Sequence, residues 1–310
     1  MRTLHYCLLL TIFAGFISSC EKDKDTNPQN DTDSPKNTVD SVGDGRSRVK
    51  SVSFTNSGTV YTYSLSYNST GNLQSISEEF KGEEKGYENY YWSETGLQYE
   101  FYCCSGVFEK TGNYTRNSDG YVLSGELTES VTNRMFGGTE HVTTNFNCIY
   151  DENNQLISVT MDATNTLGSA GNGQVNYVWE NGNLVSIENS GWLPGHSNTY
   201  HFEYYTDKPE MRDIGLEHFT FSGYEEVNVG LNVGTTPSHR YGFTPGGLPF
   251  LSKNLLKKVT SSIDNSSATF ENTYEYTYDF DDKGRVVRET VKTTTAIGAT
   301  GTERNYEYFD

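Results

Sequence analysis

A chain of 310 residues and 34.8 kDa has room for one large all-β domain or two small ones. Its net charge of −18 argues against nucleic acid as a partner and against anionic lipid surfaces, which would repel it. Only 34% of residues are hydrophobic, yet 14% are aromatic, with 23 Tyr and 16 Phe. Disordered chains are poor in rings, so a core built of rings rather than Leu and Ile is expected.

Residues 1–19 read as an export signal. Arg2 supplies a positive start, and Cys7 to Phe16 is an apolar run too short to span a bilayer as a helix. The run ends in Ile17-Ser18-Ser19-Cys20. An aliphatic residue, two small residues and a cysteine resemble the lipobox of bacterial lipoproteins. That resemblance implies cleavage before Cys20, acylation of its thiol and of the new N-terminus, and a membrane partner reached through lipid, since each buried methylene contributes about 0.8 kcal/mol. The alternative is an ordinary signal peptide with a chance cysteine. Glu21-Lys22-Asp23-Lys24-Asp25 follows. This acidic patch resembles the surface-export signal of Bacteroidetes lipoproteins and implies the outer membrane, surface-exposed, with the periplasmic face as alternative. Residues 20–46 hold no aromatic and read as a flexible tether. Asp40-Ser41-Val42 resembles an O-glycosylation site of the same phylum.

Residues 47–310 read as a single domain. Arg48 to Phe54 opens it. Tyr61, Tyr63, Leu65 and Tyr67 then alternate with Thr62, Ser64 and Ser66, a strand with one ring face. A turn at Asn68–Asn72 returns the chain to Leu73. The unit recurs with turns at Gly96, Gly120, Asn154, Gly182 and Gly284. The clearest copy runs Tyr274, Tyr276, Tyr278, Phe280, then Asp281-Asp282-Lys283-Gly284 and Arg285 to Val291. Glycine tolerates the positive φ that tight hairpins demand, and Asn154 stands where one copy lacks it. Asp, Asn and Ser ahead of it can cap their own backbone. Helix signals are nearly absent. The expected fold is an all-β antiparallel up-and-down meander of long hairpins, curled or barrel-like because a long open sheet leaves adhesive edges. Tyr278–Val286 and Tyr150–Leu156 resemble tyrosine-aspartate repeats. Together with the lipobox and Gly247-Leu-Pro-Phe-Leu-Ser252-Lys253-Asn254-Leu255, they resemble a family of Bacteroidetes lipoproteins with a porin-like fold and no assigned activity. A membrane-spanning barrel would need an apolar outer band on every strand. Strands with rings on one face and Thr, Ser, Asn and Glu on the other do not supply it.

Residues 190–258 break the pattern and read as an irregular insertion, with a short helical turn from Asp207 towards His218. Insertions on β scaffolds often carry function. Trp192, Tyr224, Tyr241 and Phe243 are the candidate ligand-binding residues: exposed, they would form a sugar-binding platform; buried, they would plug the end of the sheet. Burial is the commoner fate of such rings. Other chemistry is sparse. Cys103, Cys104 and Cys148 allow one disulfide or three free thiols. Thr115, Asn117, Asp119, Gly120 and Glu126 imitate a calcium loop but lack its first aspartate. Histidines are scattered, and no nucleophile elbow or phosphate loop appears. No catalytic residue, metal or cofactor is assigned. The expected function is a lipid-anchored, non-catalytic envelope protein that binds an envelope protein or organises the surface. The alternative is a glycan-binding accessory lipoprotein of a nutrient-uptake system.

Overall fold

The computed structural model describes residues 46–56, 59–80, 83–103, 108–133, 138–165, 170–190, 197–213, 252–265, 268–296 and 298–309. These residues contain seventeen strands and no helix. They are β1 (Ser47–Asn56), β2 (Thr59–Tyr67), β3 (Leu73–Phe80), β4 (Glu83–Trp92), β5 (Gly96–Cys103), β6 (Phe108–Arg116), β7 (Val122–Asn133), β8 (Gly138–Tyr150) and β9 (Leu156–Asn165). Then follow β10 (Ala170–Glu180), β11 (Asn183–Ser190), β12 (Ser197–Pro209), β13 (Arg212–Asp213), β14 (Asn254–Asn265), β15 (Ala268–Phe280), β16 (Val286–Thr295) and β17 (Gly298–Tyr308). Each strand but β13 pairs antiparallel with the next, and β17 pairs back onto β1 from Val49↔Tyr308 to Thr55↔Glu303. The meander is therefore a closed barrel of sixteen strands. The two-residue β13 lies parallel to β1.

Closure answers the edge problem, because the first and last strands pair. The expected insertion at 190–258 is shorter than the sequence suggested. Residues 197–209 are β12, which pairs with β11 and β14, and the short helical turn from Asp207 is instead the end of that strand. Its Tyr200, Phe202 and Tyr204 keep the ring alternation, and Pro209 stands only at the strand end.

Four turns share one construction. Asn68, Asn117, Asp151 and Asp281 each accept, on Oδ1, the backbone N–H two and four residues on, at 2.8–3.1 Å. The fourth residue takes positive φ: 84° at Gly71, 93° at Gly120, 61° at Asn154 and 79° at Gly284. A bulge follows every time. Asn154 therefore fills the glycine role expected of it. Gly96 does not: its φ is not positive, and it opens β5 after a tighter turn closed by Ser93 N–H to Gly96 O at 2.9 Å.

The same end of the barrel is locked by rings. An aromatic near the end of a strand donates to the backbone carbonyl of the residue that opens the inner face of the preceding strand. The pairs are Tyr67 to Val49, Trp92 to Leu73, Tyr150 to Val122, Trp179 to Leu156, Tyr204 to Leu184, Tyr278 to Leu256 and Tyr308 to Val286, at 2.6–2.9 Å. In the remaining hairpin Arg116 substitutes. It donates to Ser93 and Gly120 carbonyls and lies 4.8 Å above the Trp92 ring. The acceptor residues are 0–5% exposed, so a ring of aliphatics lies beneath the aromatics. Deeper in, Tyr114 lies over Gly112 and Gly125, filling the space their side chains would take.

Tyr150→Phe keeps the ring and deletes one donor. It should cost about 1 kcal/mol, read as a drop of about 2–4 °C in melting midpoint. Gly125→Ala sets a Cβ 2.5 Å from the Tyr114 ring and 2.7 Å from the Asn113 carbonyl. It should cost about 1–3 kcal/mol in urea denaturation.

Candidate functional site

Trp192, Tyr224, Tyr241 and Phe243 lie outside the described residues, as do Cys20 and residues 1–45. The site must therefore be sought in the barrel's interior and on its outer wall.

Much of the inner wall is a packed core. Tyr61, Tyr63, Leu65, Tyr90, Tyr99, Phe146, Val159, Tyr177, Tyr200, Phe202, Tyr274 and Val291 are all 0–7% exposed. Cys148 belongs to it as a free thiol. Burial pushes that thiol up to about 12, although a hydrogen bond with Tyr150 offsets part of the rise, so it is inert at neutral pH. Away from the locked end the inner face turns polar, with Lys110, Thr144, Asn189, Ser261 and Thr293 buried there. Glu88 accepts the Tyr90 hydroxyl at 2.6 Å. Burial raises its carboxyl above the usual range, against the opposing pull of Tyr90, Lys110 and Tyr99.

The largest electrostatic feature sits where residues 210–213 enter the barrel. Arg212 donates to both Glu210 carboxylate oxygens at 2.8 and 2.6 Å, to Glu289 at 2.8 Å and to the Tyr306 hydroxyl at 2.9 Å. Arg304 donates to the other Glu289 oxygen at 2.6 Å. Arg48 pairs with Asp213 at 2.5 Å, donates to the Gly71 carbonyl and lies 4.7 Å over the Tyr67 ring. Three arginines thus face three carboxylates, and the cluster is neutral. Such a set binds its own chain rather than a ligand. It fastens the segment after β12 to β1, β16 and β17. Glu210, Asp213 and Glu289 each have an arginine against them, so the chemistry of two opposed free carboxylates is not built in this cluster. Among the described residues no group of His, Cys, Asp and Glu could hold a metal. Asn117 Oδ1, part of the calcium-like pattern, is taken by its own turn.

The outer wall is mostly polar. Glu100, Glu126, Asp162, Glu188, Glu203, Glu275, Lys292 and Glu303 are exposed in mid-strand, among Ser, Thr, Asn and Gln. Exposed aliphatics interrupt it at Val60, Leu123, Ile149, Ile157 and Val178, and one area is aromatic. On the outer face of β4 and β5, Tyr87 opposes Tyr102 and Tyr91 opposes Gln98, with Asn89 and Glu100 between them. Tyr87 and Tyr102 stack at 5.4 Å and 15°. Tyr91 is 50% exposed and donates to Glu100 at 2.9 Å, which raises its hydroxyl above the ordinary value, with smaller contributions from burial and Tyr87. Sequence reasoning missed this strip. The available signal was the unbroken run Tyr90-Tyr91-Trp92: on a strand, one of three consecutive rings must face out.

The charge cluster predicts its own acid sensitivity. Burial alone would raise the Glu289 carboxyl, but Arg304 and Arg212 outweigh it and hold it below the usual carboxylate range. A depressed folded value stabilises above the unfolded value of about 4.3 and is lost as pH falls through the folded one. Glu289→Gln should destabilise by about 3–5 kcal/mol at pH 7, because two buried arginines lose their shared partner. Urea titrations below pH 4 should show that gap narrowing.

No protein-family model matches the sequence, and no curated protein does. Crystal structures similar to it include two porin-like proteins. A porin-like protein from Bacteroides vulgatus aligns with TM-score 0.54 and 10% identity, over 84% of this chain and 98% of that one. A porin-like protein from Bacteroides uniformis aligns with TM-score 0.49 and 14% identity, over 85% of this chain and 99% of that one. The first match shows the fold that the family resemblance implied: a closed antiparallel meander of the porin-like kind.

Proposed function

We propose that this protein is a lipid-anchored barrel of the cell envelope that stands in water beside the membrane and acts as a non-catalytic binding or surface-organising protein. The observation that carries the reading is the outer wall. A spanning barrel presents an apolar band, and Lys or Arg facing lipid at mid-depth costs about 2–4 kcal/mol. Here Lys292 and Glu275 pair across strands on the outside, 64% and 53% exposed, and so do Lys258 and Glu203. The inner face carries the rings instead, so the polarity is that of a soluble barrel. The similarity to a porin-like protein of Bacteroides vulgatus supports an envelope location. The apolar run and Ile17-Ser18-Ser19-Cys20 support the anchor. The neutral charge cluster and the cation-paired carboxylates support a role without catalysis.

One substitution tests anchor and topology together. Cys20→Ala in the full-length chain should move the protein from the membrane pellet to the soluble fraction, folded and without detergent. Retention of the variant in carbonate-washed membranes would overturn the reading.

A further inference from the structure

We propose that the outer strip of β4 and β5 is a binding site for a neutral glycan chain, with Tyr87, Tyr91 and Tyr102 as its stacking surfaces. The inference rests on the reading of the outer wall as water-facing. Rings on such a wall cost free energy unless something covers them; the apolar side chains exposed on β7 to β10 are aliphatic, and the strands flanking the strip place Ser75, Ser77, Thr111 and Asn113 beside it.

The rings are held in place before any ligand arrives. Tyr102 stacks against Tyr87, and the hydroxyl of Tyr91 is tied diagonally across the strand pair to Glu100. That bond draws the Tyr91 ring over the sheet surface with half of its area open. Preorganisation of this kind lowers the entropy cost of binding. Tyr91 lies four positions after Tyr87 along β4, so the two contacts are about 13 Å apart. A ligand that uses both is an extended chain, not a single small ring.

The neighbours define its chemistry. Asn89 and Gln98 carry amides, and on β6 Thr111 and Asn113 face outward opposite Glu100 and Gln98. Amides and hydroxyls donate and accept, which suits ligand hydroxyl groups. The aromatic faces suit the C–H faces of sugar rings. A polyanion is disfavoured by Glu100 and by the net charge of −18. A cationic peptide would favour several carboxylates around the rings, as cation–ring contacts are strengthened by nearby negative charge. The strip offers one, and it already accepts a hydrogen bond from Tyr91.

The experiment is affinity electrophoresis of the full-length protein in mild detergent, through gels containing a neutral β-glucan, xylan, galactomannan or dextran, with a Lys/Arg-rich peptide tested separately by calorimetry. At least one neutral polysaccharide should retard the protein. Tyr91→Ala and Tyr87→Ala should each weaken that retardation about tenfold or more, the loss expected of a central aromatic contact. Ile149→Ala, an exposed position on β8, should change nothing. These side chains face water, so unchanged melting midpoints will show that the variants fold. No retardation by any polysaccharide, equal retardation of Tyr91→Ala and wild type, or binding of the cationic peptide alone would each overturn the proposal. None of these results bears on the anchor, which the Cys20→Ala fractionation decides separately.

Discussion

A closed ring of sixteen strands must do something with its inside. This protein fills a large part of it with rings, and the other features of the fold follow from that constraint. A barrel of this circumference is not filled by small aliphatics alone: β2, β4, β8, β10, β12 and β15 send in Tyr, Phe or Trp, and β7, β9, β11, β14 and β16 answer with Leu, Ile, Val and Met. That is why a chain with only 34% hydrophobic residues has a core at all. Tyrosine also solves a second problem. Its hydroxyl can satisfy backbone groups at the barrel end that would otherwise be buried without partners. Five of the seven ring-to-carbonyl bonds use this property, and Trp92 and Trp179 do the same with the indole N–H.

The locked end is also where both ends of the domain and the start of the segment after β12 meet. A buried arginine is tolerable there only because the carboxylates around it match its charge and its geometry. Arg212 is bidentate to Glu210 and shares Glu289 with Arg304. Removing any one member leaves an uncompensated charge in a low-dielectric interior. The cluster therefore specifies one arrangement of β1, β13, β16 and β17, and its stability contribution is tied to pH through Glu289.

Porin-like topology and porin-like surface chemistry are separable. The fold resembles that of a porin-like neighbour, while the outer wall carries charges in mid-strand. Backbone pairing closes the barrel whichever face is apolar. The side-chain alternation alone decides whether lipid or water surrounds it. Against this polar wall the tyrosine strip of β4 and β5 is conspicuous because it serves no packing purpose.

Much of the fold was legible along the chain. Ring alternation marked the strands, and Asn or Asp three residues before Gly71, Gly120, Asn154 and Gly284 marked the turns, because side-chain capping and positive φ are local requirements. Gly96 misled because a tighter turn also accepts glycine. β12 was hidden by Pro209 and the irregular residues on either side of it. The candidate site was less legible still. Alternation assigns residues to two faces but does not name which face is outside, and Tyr87 pairs with Tyr102 only through register between strands. The sequence by itself determined strands, turns and a ring-rich core, since these depend on neighbours a few residues apart. Tertiary structure alone decided the β1–β17 seam, the charge cluster drawn from positions 48, 210–213, 289 and 304, and the open tyrosine strip. Those depend on groups far apart in the chain, whose meeting is set by closure of the sheet.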